Sequence, residues 1–235
     1  MAWLVSARRF QKKLAAEGRR VAVTFSPTNK TSDQWLADMK EDGFEFQALP
    51  CEAAAIESCE AWVAAALGPI EILVKNAGIT KDRTFRKMTK SAWDAVSSTN
   101  LDSVFSMTKQ VCEGMLEKGW GWIINVSSVN GSKGAFVQKN YAAVKAGMHG
   151  FTKSLALECA TKGITVNTIS PCYIGTKMVT SMALEVLETK ILPQISIARL
   201  GTPEEVAGLI VNLCPLEAAF VNGANIAING GQHMQ

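Results

Sequence analysis

Residues 122–145 read WIINVSSVNGSKGAFVQKNYAAVK and hold a strand, a turn and the start of a helix in that order. Trp122–Ser127 is a short β-rich apolar run, and Ser128 stands at its carboxyl end. Thirteen residues further on, Tyr141 opens a helical pattern, and Lys145 follows at i+4 on the same helix face. An ammonium beside a phenol favours the phenolate, which brings Tyr141 nearer to proton exchange at neutral pH than its free value of ~10. Taken alone, Tyr-x-x-x-Lys is equally an ordinary surface pair.

Outward from this stretch the same alternation repeats. Strands are expected at Ala2–Ser6 (AWLVS), Val21–Phe25 (VAVTF), Phe44–Leu49 (FEFQAL), Ile70–Lys75 (IEILVK), Ile164–Ser170 (ITVNTIS) and Ala224–Asn229 (ANIAIN). Helical patterns lie near 8–17, 31–42, 55–67, 90–118, 140–161 and 203–214. Such alternation implies parallel strands joined by right-handed crossovers, and continuous apolar runs such as IEILV fit a sheet covered on both faces. No Pro/Gly/Ser linker and no internal repeat breaks the pattern. The expectation is one doubly wound Rossmann-type α/β domain over residues 1–235, with a parallel sheet of about seven strands and helices on both faces. Such sheets bind ligands at the carboxyl ends of their strands.

Composition narrows the class. The 235 residues are 48% hydrophobic, which excludes a disordered chain, and a net charge of +3 is too small to argue for a nucleic-acid partner. No apolar run reaches the ~18 residues of a membrane span, and MAWLVSARRF meets arginine too early for a secretory leader. A soluble, cytoplasmic protein is expected. Cys51, Cys59, Cys112, Cys159, Cys172 and Cys214 form no CxxC, and with only His149 and His233 beside them no metal site or disulfide is expected.

Three further strand ends carry small-residue or polar turns. Asn76-Ala77-Gly78 follows the strand at 70–75, and Pro171-Cys172-Tyr173-Ile174-Gly175-Thr176 follows the strand at 164–170. After 21–25 comes Ser26-Pro27-Thr28-Asn29-Lys30, without an acid. A carboxylate there would select a ribose 2′-hydroxyl, whereas hydroxyls and a cation accommodate a 2′-phosphate.

In order and spacing, Asn76-Ala77-Gly78, Asn100, Ser128, Tyr141-x-x-x-Lys145 and Pro171-x-x-Ile174-x-Thr176 resemble the short-chain dehydrogenase/reductase superfamily. The longer runs GITKDRTFRKMTKSAWDAV, INVSSVNGSKGAF, NTISPCYIGTKMV and INGGQHM are similar to the acetoacetyl-CoA reductases of polyhydroxybutyrate synthesis, and the likeness covers roughly residue 19 to the end. It implies hydride transfer from NADPH to the 3-ketone of an acyl-CoA in a homotetramer. Tyr141 would be the general acid, Lys145 would lower its pKa and hold the nicotinamide ribose, Ser128 would bond the ketone oxygen, and Asn100 would position a relay water. Cofactor contacts would come from Ser26, Thr28, Asn29, Lys30, Glu52, Asn76, Ala77, Gly78, Tyr141, Lys145, Pro171, Ile174 and Thr176. Asp82, Lys87, Phe136, Gln138 and Tyr173 would line the substrate pocket. Surplus apolar surface on Val104, Phe105, Val144, Met148, Phe151 and Leu155 is expected to meet a symmetric partner.

The chain departs from that pattern in four places. Where the family carries a TGxxxGxG loop that cradles the pyrophosphate, this sequence has Ser6-Ala7-Arg8-Arg9-Phe10. Lys75 replaces the first Asn of Asn-Asn-Ala-Gly, and Cys172 and Val137 replace glycines, with the Cys172 side chain expected to crowd the nicotinamide. Three readings of the first departure stay open: cofactor binding is lost, Arg8 and Arg9 substitute for the amides, or residues 6–18 of the natural protein differ from those written. Two other functions stay open beside the first, a 3-oxoacyl-acyl-carrier-protein reductase and a catalytically silent subunit that keeps only the fold.

Overall fold

The computed structural model describes residues 4–66 and 68–234. The first half of the chain runs α1 (Leu4–Ala16), β1 (Ala22–Phe25), α2 (Ser32–Glu41), β2 (Gln47–Pro50), α3 (Ile56–Ala65), β3 (Ile72–Lys75), α4 (Lys90–Ser97) and α5 (Ser103–Lys118). The second half runs β4 (Gly121–Val126), α6 (Val129–Lys133), α7 (Lys139–Cys159), β5 (Ile164–Pro171), α8 (Lys177–Thr180), α9 (Leu184–Val186), α10 (Pro203–Asn212) and β6 (Asn225–Ile228).

All the strands pair in parallel, in the order β3-β4-β5-β6 and, separately, β1-β2. Alternate residues of a strand point to opposite faces, and both faces here are apolar and covered. Ile124, Val126 and Ile169 pack against Phe10 and Leu14 of α1 and Val206 and Ile210 of α10. Ile123 and Val166 point the other way, into a cluster with Trp62 of α3 and Met107, Val111 and Met115 of α5. Helices on both faces of a parallel sheet make the doubly wound α/β fold that the strand–helix alternation implies. Among the described residues no helix is long and apolar enough to cross a membrane.

The expected first strand is a helix where it is described. Leu4–Ser6 form the opening turn of α1, while Ala2 and Trp3 lie outside the described residues. LVSARRFQKKLAA is rich in strong helix formers, and its apolar Phe10 and Leu14 lie at i and i+4 against α10, so the helix extends back through LVS. The sheet therefore shows six strands among the described residues, and none lies between β1 and β3. FEFQAL is also shifted: pairing begins at Gln47, and Phe44 and Phe46 instead stack in a row with Trp35. Helix 90–118 is interrupted by a π-turn at Ser98–Asp102.

Two surface expectations change as well. Val104, Val144 and Met148 are buried in the chain's own core, Val144 packing with Val96 and Tyr141, and Phe105 is left as the exposed apolar residue of that set. The six cysteines are free thiols; Cys51 and Cys59 lie 3.9 Å apart at sulfur, and burial pushes Cys59 up to about 12.

Candidate active site

β4, α6 and α7 bring three of the expected residues together. Ser128 ends the strand and caps α6, its Oγ accepting from the Asn130 amide at 3.2 Å. Tyr141 and Lys145, one turn apart on α7, are both buried at 3% and 0% exposure. Ser128 is near enough to act on the Tyr141 phenol, and the Lys145 ammonium lies 5.4 Å from the centre of the Tyr141 ring. Lys145 Nζ also donates to the Val126 carbonyl at 2.8 Å, which anchors it to the end of β4.

Asn100 joins them from the π-turn between α4 and α5. One extra residue in a helical turn re-aims a side chain, and such turns are frequent at functional sites. Asn100 Nδ2 donates to the carbonyls of Val96 at 2.8 Å and Ile79 at 3.0 Å, which fixes the amide's orientation. Its Oδ1 is buried with no hydrogen-bond partner among the described residues. A Cβ on Gly78 would fall 2.6 Å from that oxygen and 3.6 Å from Lys145 Nζ, so only glycine lets this turn approach.

Burial dominates the electrostatics. It pushes the Tyr141 phenol above its ordinary value; Asp82 adds to the rise and Ser128 opposes it. Burial holds Lys145 down at about 7. The expected lowering of Tyr141 by Lys145 is therefore not what this pocket shows, because desolvation penalises phenolate and ammonium alike.

A cavity of about 850 Å³ opens beside this cluster, lined by Ser26, Thr28, Asn29, Glu52, Asn76, Ala77 and Gly78 among others. Lys30 is exposed and outside that lining. Pro171, Ile174 and Thr176 do not line it either; Ile174 bridges to Gly201 and faces a second cavity of about 380 Å³ with Cys172.

The chain matches the family model described as short chain dehydrogenase over residues 7–186. The chain belongs to this family. It is 47% identical to an acetoacetyl-CoA reductase of Cupriavidus necator over 95% of this chain and 92% of that one. It is also 47% identical to nodulation protein G of Azospirillum brasilense, over 94% and 91% of the two chains. A 3-oxoacyl-acyl-carrier-protein reductase of Vibrio cholerae is 40% identical over 94% and 90%.

Short chain dehydrogenases work with a nicotinamide dinucleotide, and this chain's residues fit that group at its two ends. At one end are the close Gly78 turn, Lys145 and the unpartnered Asn100 oxygen; at the other, Ser26, Thr28, Asn29 and Glu52 share the same cavity. They do not fit in the middle. Residues 6–10, at the family's glycine loop, are helical, and their arginines are engaged elsewhere: Arg8 with Asp38 at 3.1 Å and Arg9 with Glu204 at 2.7 Å.

The expected substrate residues split. Gln138 Nε2 donates to Asp82 Oδ2 at 2.7 Å, and Asn130 Nδ2 donates to Gln138 Oε1 at 2.8 Å, tying the Asp82 loop to α6 and to the start of α7. Phe136 is 89% exposed, Tyr173 is half-buried, and Lys87 is exposed in its basic run. Cys172 turns away from the centre, its Sγ donating to the Asn229 carbonyl at 3.2 Å. Val137 sits at φ 61°, the left-handed region that suits glycine and strains a β-branched residue.

Sequence reasoning missed Phe85, 79% exposed beside Lys139, and Asn130. It also missed His149, one turn beyond Lys145. Its Nε2 lies 2.9 Å from Ser127 Oγ, which donates onward to the Lys145 carbonyl at 2.9 Å. The i+4 spacing from Lys145 was the available signal.

Proposed function

We propose that this dehydrogenase reduces the 3-ketone of acetoacetyl-CoA to 3-hydroxybutyryl-CoA with NADPH, as a cytoplasmic homotetramer in polyhydroxybutyrate synthesis. The observation that carries the chemistry is the burial of Ser128, Tyr141 and Lys145 together beyond the carboxyl end of β4. Two hydroxyl donors are buried there, and a ketone oxygen gains negative charge as hydride reaches its carbon. NADPH, when bound, supplies that hydride. Ser128 then holds the ketone oxygen, and Tyr141, kept protonated by its burial, gives its proton to the nascent alkoxide. Lys145 and the free lone pairs of Asn100 Oδ1 line the route by which Tyr141 regains a proton. The acid-free turn Ser26–Asn29 favours the 2′-phosphate form of the cofactor. The exposed Phe136 and Phe85 offer apolar surface on which a pantetheine chain would lie. The names of the Cupriavidus and Shinella relatives, at 47% identity each, support the acyl-CoA substrate. The Vibrio relative keeps a carrier-protein substrate as the second reading.

The test is Tyr141→Phe, which deletes one buried hydroxyl. Reduction of acetoacetyl-CoA should fall by about 10²–10⁴-fold, the usual cost of losing a positioned general acid, with circular dichroism unchanged. Undiminished turnover would remove Tyr141 from the mechanism. Faster turnover of an acetoacetyl carrier protein than of acetoacetyl-CoA would favour the second reading.

A further inference from the structure

Beneath α7 the carboxyl ends of β4 and β5 carry a buried polar layer that the chemistry above does not use. Alternate residues of a strand share a face, and the face that carries Ile123 and Val166 goes on to Asn125, Ser127, Thr168 and Ser170. None of these four polar residues is more than 2% exposed. Asn125 Nδ2 and Thr168 Oγ1 each donate to Thr152 Oγ1 of α7 at 2.8 Å. His149 enters the same layer one turn earlier on α7. Its Nε2 lies 2.9 Å from Ser127 Oγ and 3.4 Å from Ser170 Oγ.

Counting hydrogens assigns the proton on that nitrogen. Ser127 has one hydroxyl hydrogen, and it goes to the Lys145 carbonyl at 2.9 Å. Ser170 also has one, and it goes to Asn225 Oδ1 at 2.6 Å. Both oxygens therefore turn lone pairs toward His149, and Nε2 is the donor. With the proton on Nδ1 instead, Ser127 would swing its hydrogen to Nε2 and release the Lys145 carbonyl. Burial, Lys153 and Lys145 all hold His149 below its ordinary value, so the ring is neutral and carries a single proton.

The Lys145 peptide is where the two halves of the catalytic cluster meet. Ser128 caps α6, and Gly131 of α6 lies so near α7 that a Cβ there would fall 2.8 Å from the Lys145 carbonyl carbon. Ser127 makes the second tie to the same peptide, and its own amide is fixed by the Ile169 carbonyl at 2.8 Å. Tyr141 and Lys145 on α7 thus take their distance from Ser128 through this joint.

We infer that His149 is a positioning residue for the reduction: donating from Nε2, it turns the Ser127 hydroxyl onto the Lys145 carbonyl and keeps Tyr141 and Lys145 in register with Ser128. The inference rests on the reductase reading above. It acts through geometry, because catalytic groups lose much of their effect when displaced by about 0.5 Å.

The test compares acetoacetyl-CoA reduction by variants of the full chain, extrapolated to saturating NADPH. His149→Leu fills similar space without a donor and should lower kcat by about 10–100-fold, with KM for acetoacetyl-CoA within about twofold. His149→Gln keeps an N–H donor at similar reach and should stay within about threefold of the parent in kcat. Ser127→Ala should match His149→Leu, and the double variant should be no slower than either, as residues acting through one contact require. On the unaltered protein, proton–nitrogen correlation NMR should place the His149 proton on Nε2, a readout that needs neither cofactor nor turnover. Unchanged kcat in His149→Leu, equal loss in His149→Leu and His149→Gln, losses that multiply in the double variant, or a proton on Nδ1 would each overturn the inference. Should His149→Leu fail to fold, His149→Gln, Ser127→Ala and the tautomer decide. Undiminished turnover in Tyr141→Phe strikes the reductase reading instead, which keeps the two failures apart.

Discussion

β4 and β5 on one side, and β1 and β3 on the other, carry similar apolar sequence and end up in different states. Every residue of β4 and β5 is buried, whereas Ile72 and Val74 of β3 are only half-buried and Thr24 of β1 is exposed. The difference comes from neighbours: β4 and β5 have a paired strand on both edges, and β1 and β3 have one each. Function divides along the same line. Ser128, Tyr141 and Lys145 hang from the complete side and are buried together. Most of the dinucleotide's expected binding residues, Ser26, Thr28 to Lys30, Glu52 and Asn76 to Gly78, hang from the open side, where its diphosphate has no cradle. On the function proposed above, the Ser128–Tyr141–Lys145 cluster carries the chemistry and the open side sets cofactor affinity.

The sharpest way to break this comparison is to complete the open side. A strand and glycine-rich turn placed ahead of Leu4 should raise NADPH affinity by about 10²-fold or more. That follows if the turn supplies two or three charge-assisted hydrogen bonds to the diphosphate, each worth roughly 1.5–3 kcal/mol. Fluorescence titration of the original and extended chains measures it. A glycine turn inserted after Ser6 alone should do little, because α1 begins at Leu4 and leaves no strand for the turn to follow. Micromolar NADPH binding by the chain as written would show that the open side is not limiting.

The complete side has its own cost, readable in pH. Lys145 is fully buried with its folded pKa held down at about 7, against 10.5 ordinarily. Between those values the unfolded chain binds more protons, so stability rises with pH across that window. The penalty is full below about pH 7 and gone above 10.5. Lys145→Met should therefore raise the melting temperature at pH 6.5 and give a shallower climb toward pH 10, while abolishing reduction. An equally steep climb in the variant would place the titration elsewhere, for example at the half-buried Lys75, also held well below its ordinary value.

How much of this was legible follows the same division. WIINVS and ITVNTIS lie within a residue or so of β4 and β5, because strands buried on both faces are apolar throughout. AWLVS reads as a strand by the same rule and is helical from Leu4, since the helix-forming run after it propagates back and no turn residue intervenes. FEF looks β-like, but its aromatics are used on Trp35 rather than in a ladder. The Tyr141–Lys145 pair was legible from i+4 spacing, whereas Asn100 was not: SSTNLDSVF reads as plain helix, and only the family's register singled it out before the π-turn gave the reason.

A smaller effect tests cofactor choice at the open side. Ser26 ends β1 with its hydroxyl 3.0 Å from that of Thr28, and no carboxylate stands in that turn. Ser26→Asp should shift preference from NADPH toward NADH by about tenfold, by repelling the 2′-phosphate, a change of about 1.4 kcal/mol. A wild-type preference for NADH would show that the turn does not discriminate.

The smallest expected effect lies on the complete side, four residues before Tyr141. Val137 holds φ 61° because its neighbours fix the loop: its carbonyl accepts from the Arg83 amide at 3.1 Å, and Gln138 is tied to Asp82 and Asn130. A left-handed backbone costs an L-residue about 1–2 kcal/mol, and glycine avoids most of that while giving some back in unfolded-state entropy. Val137→Gly should therefore stabilise the chain by about 1 kcal/mol, a rise of a few degrees in melting temperature for a domain of this size. Because the same loop carries Phe136 and Gln138, relief there should alter KM for acetoacetyl-CoA more than kcat. A destabilised variant would mean that the Val137 side chain contributes more packing than its backbone costs, and that this loop is not strained.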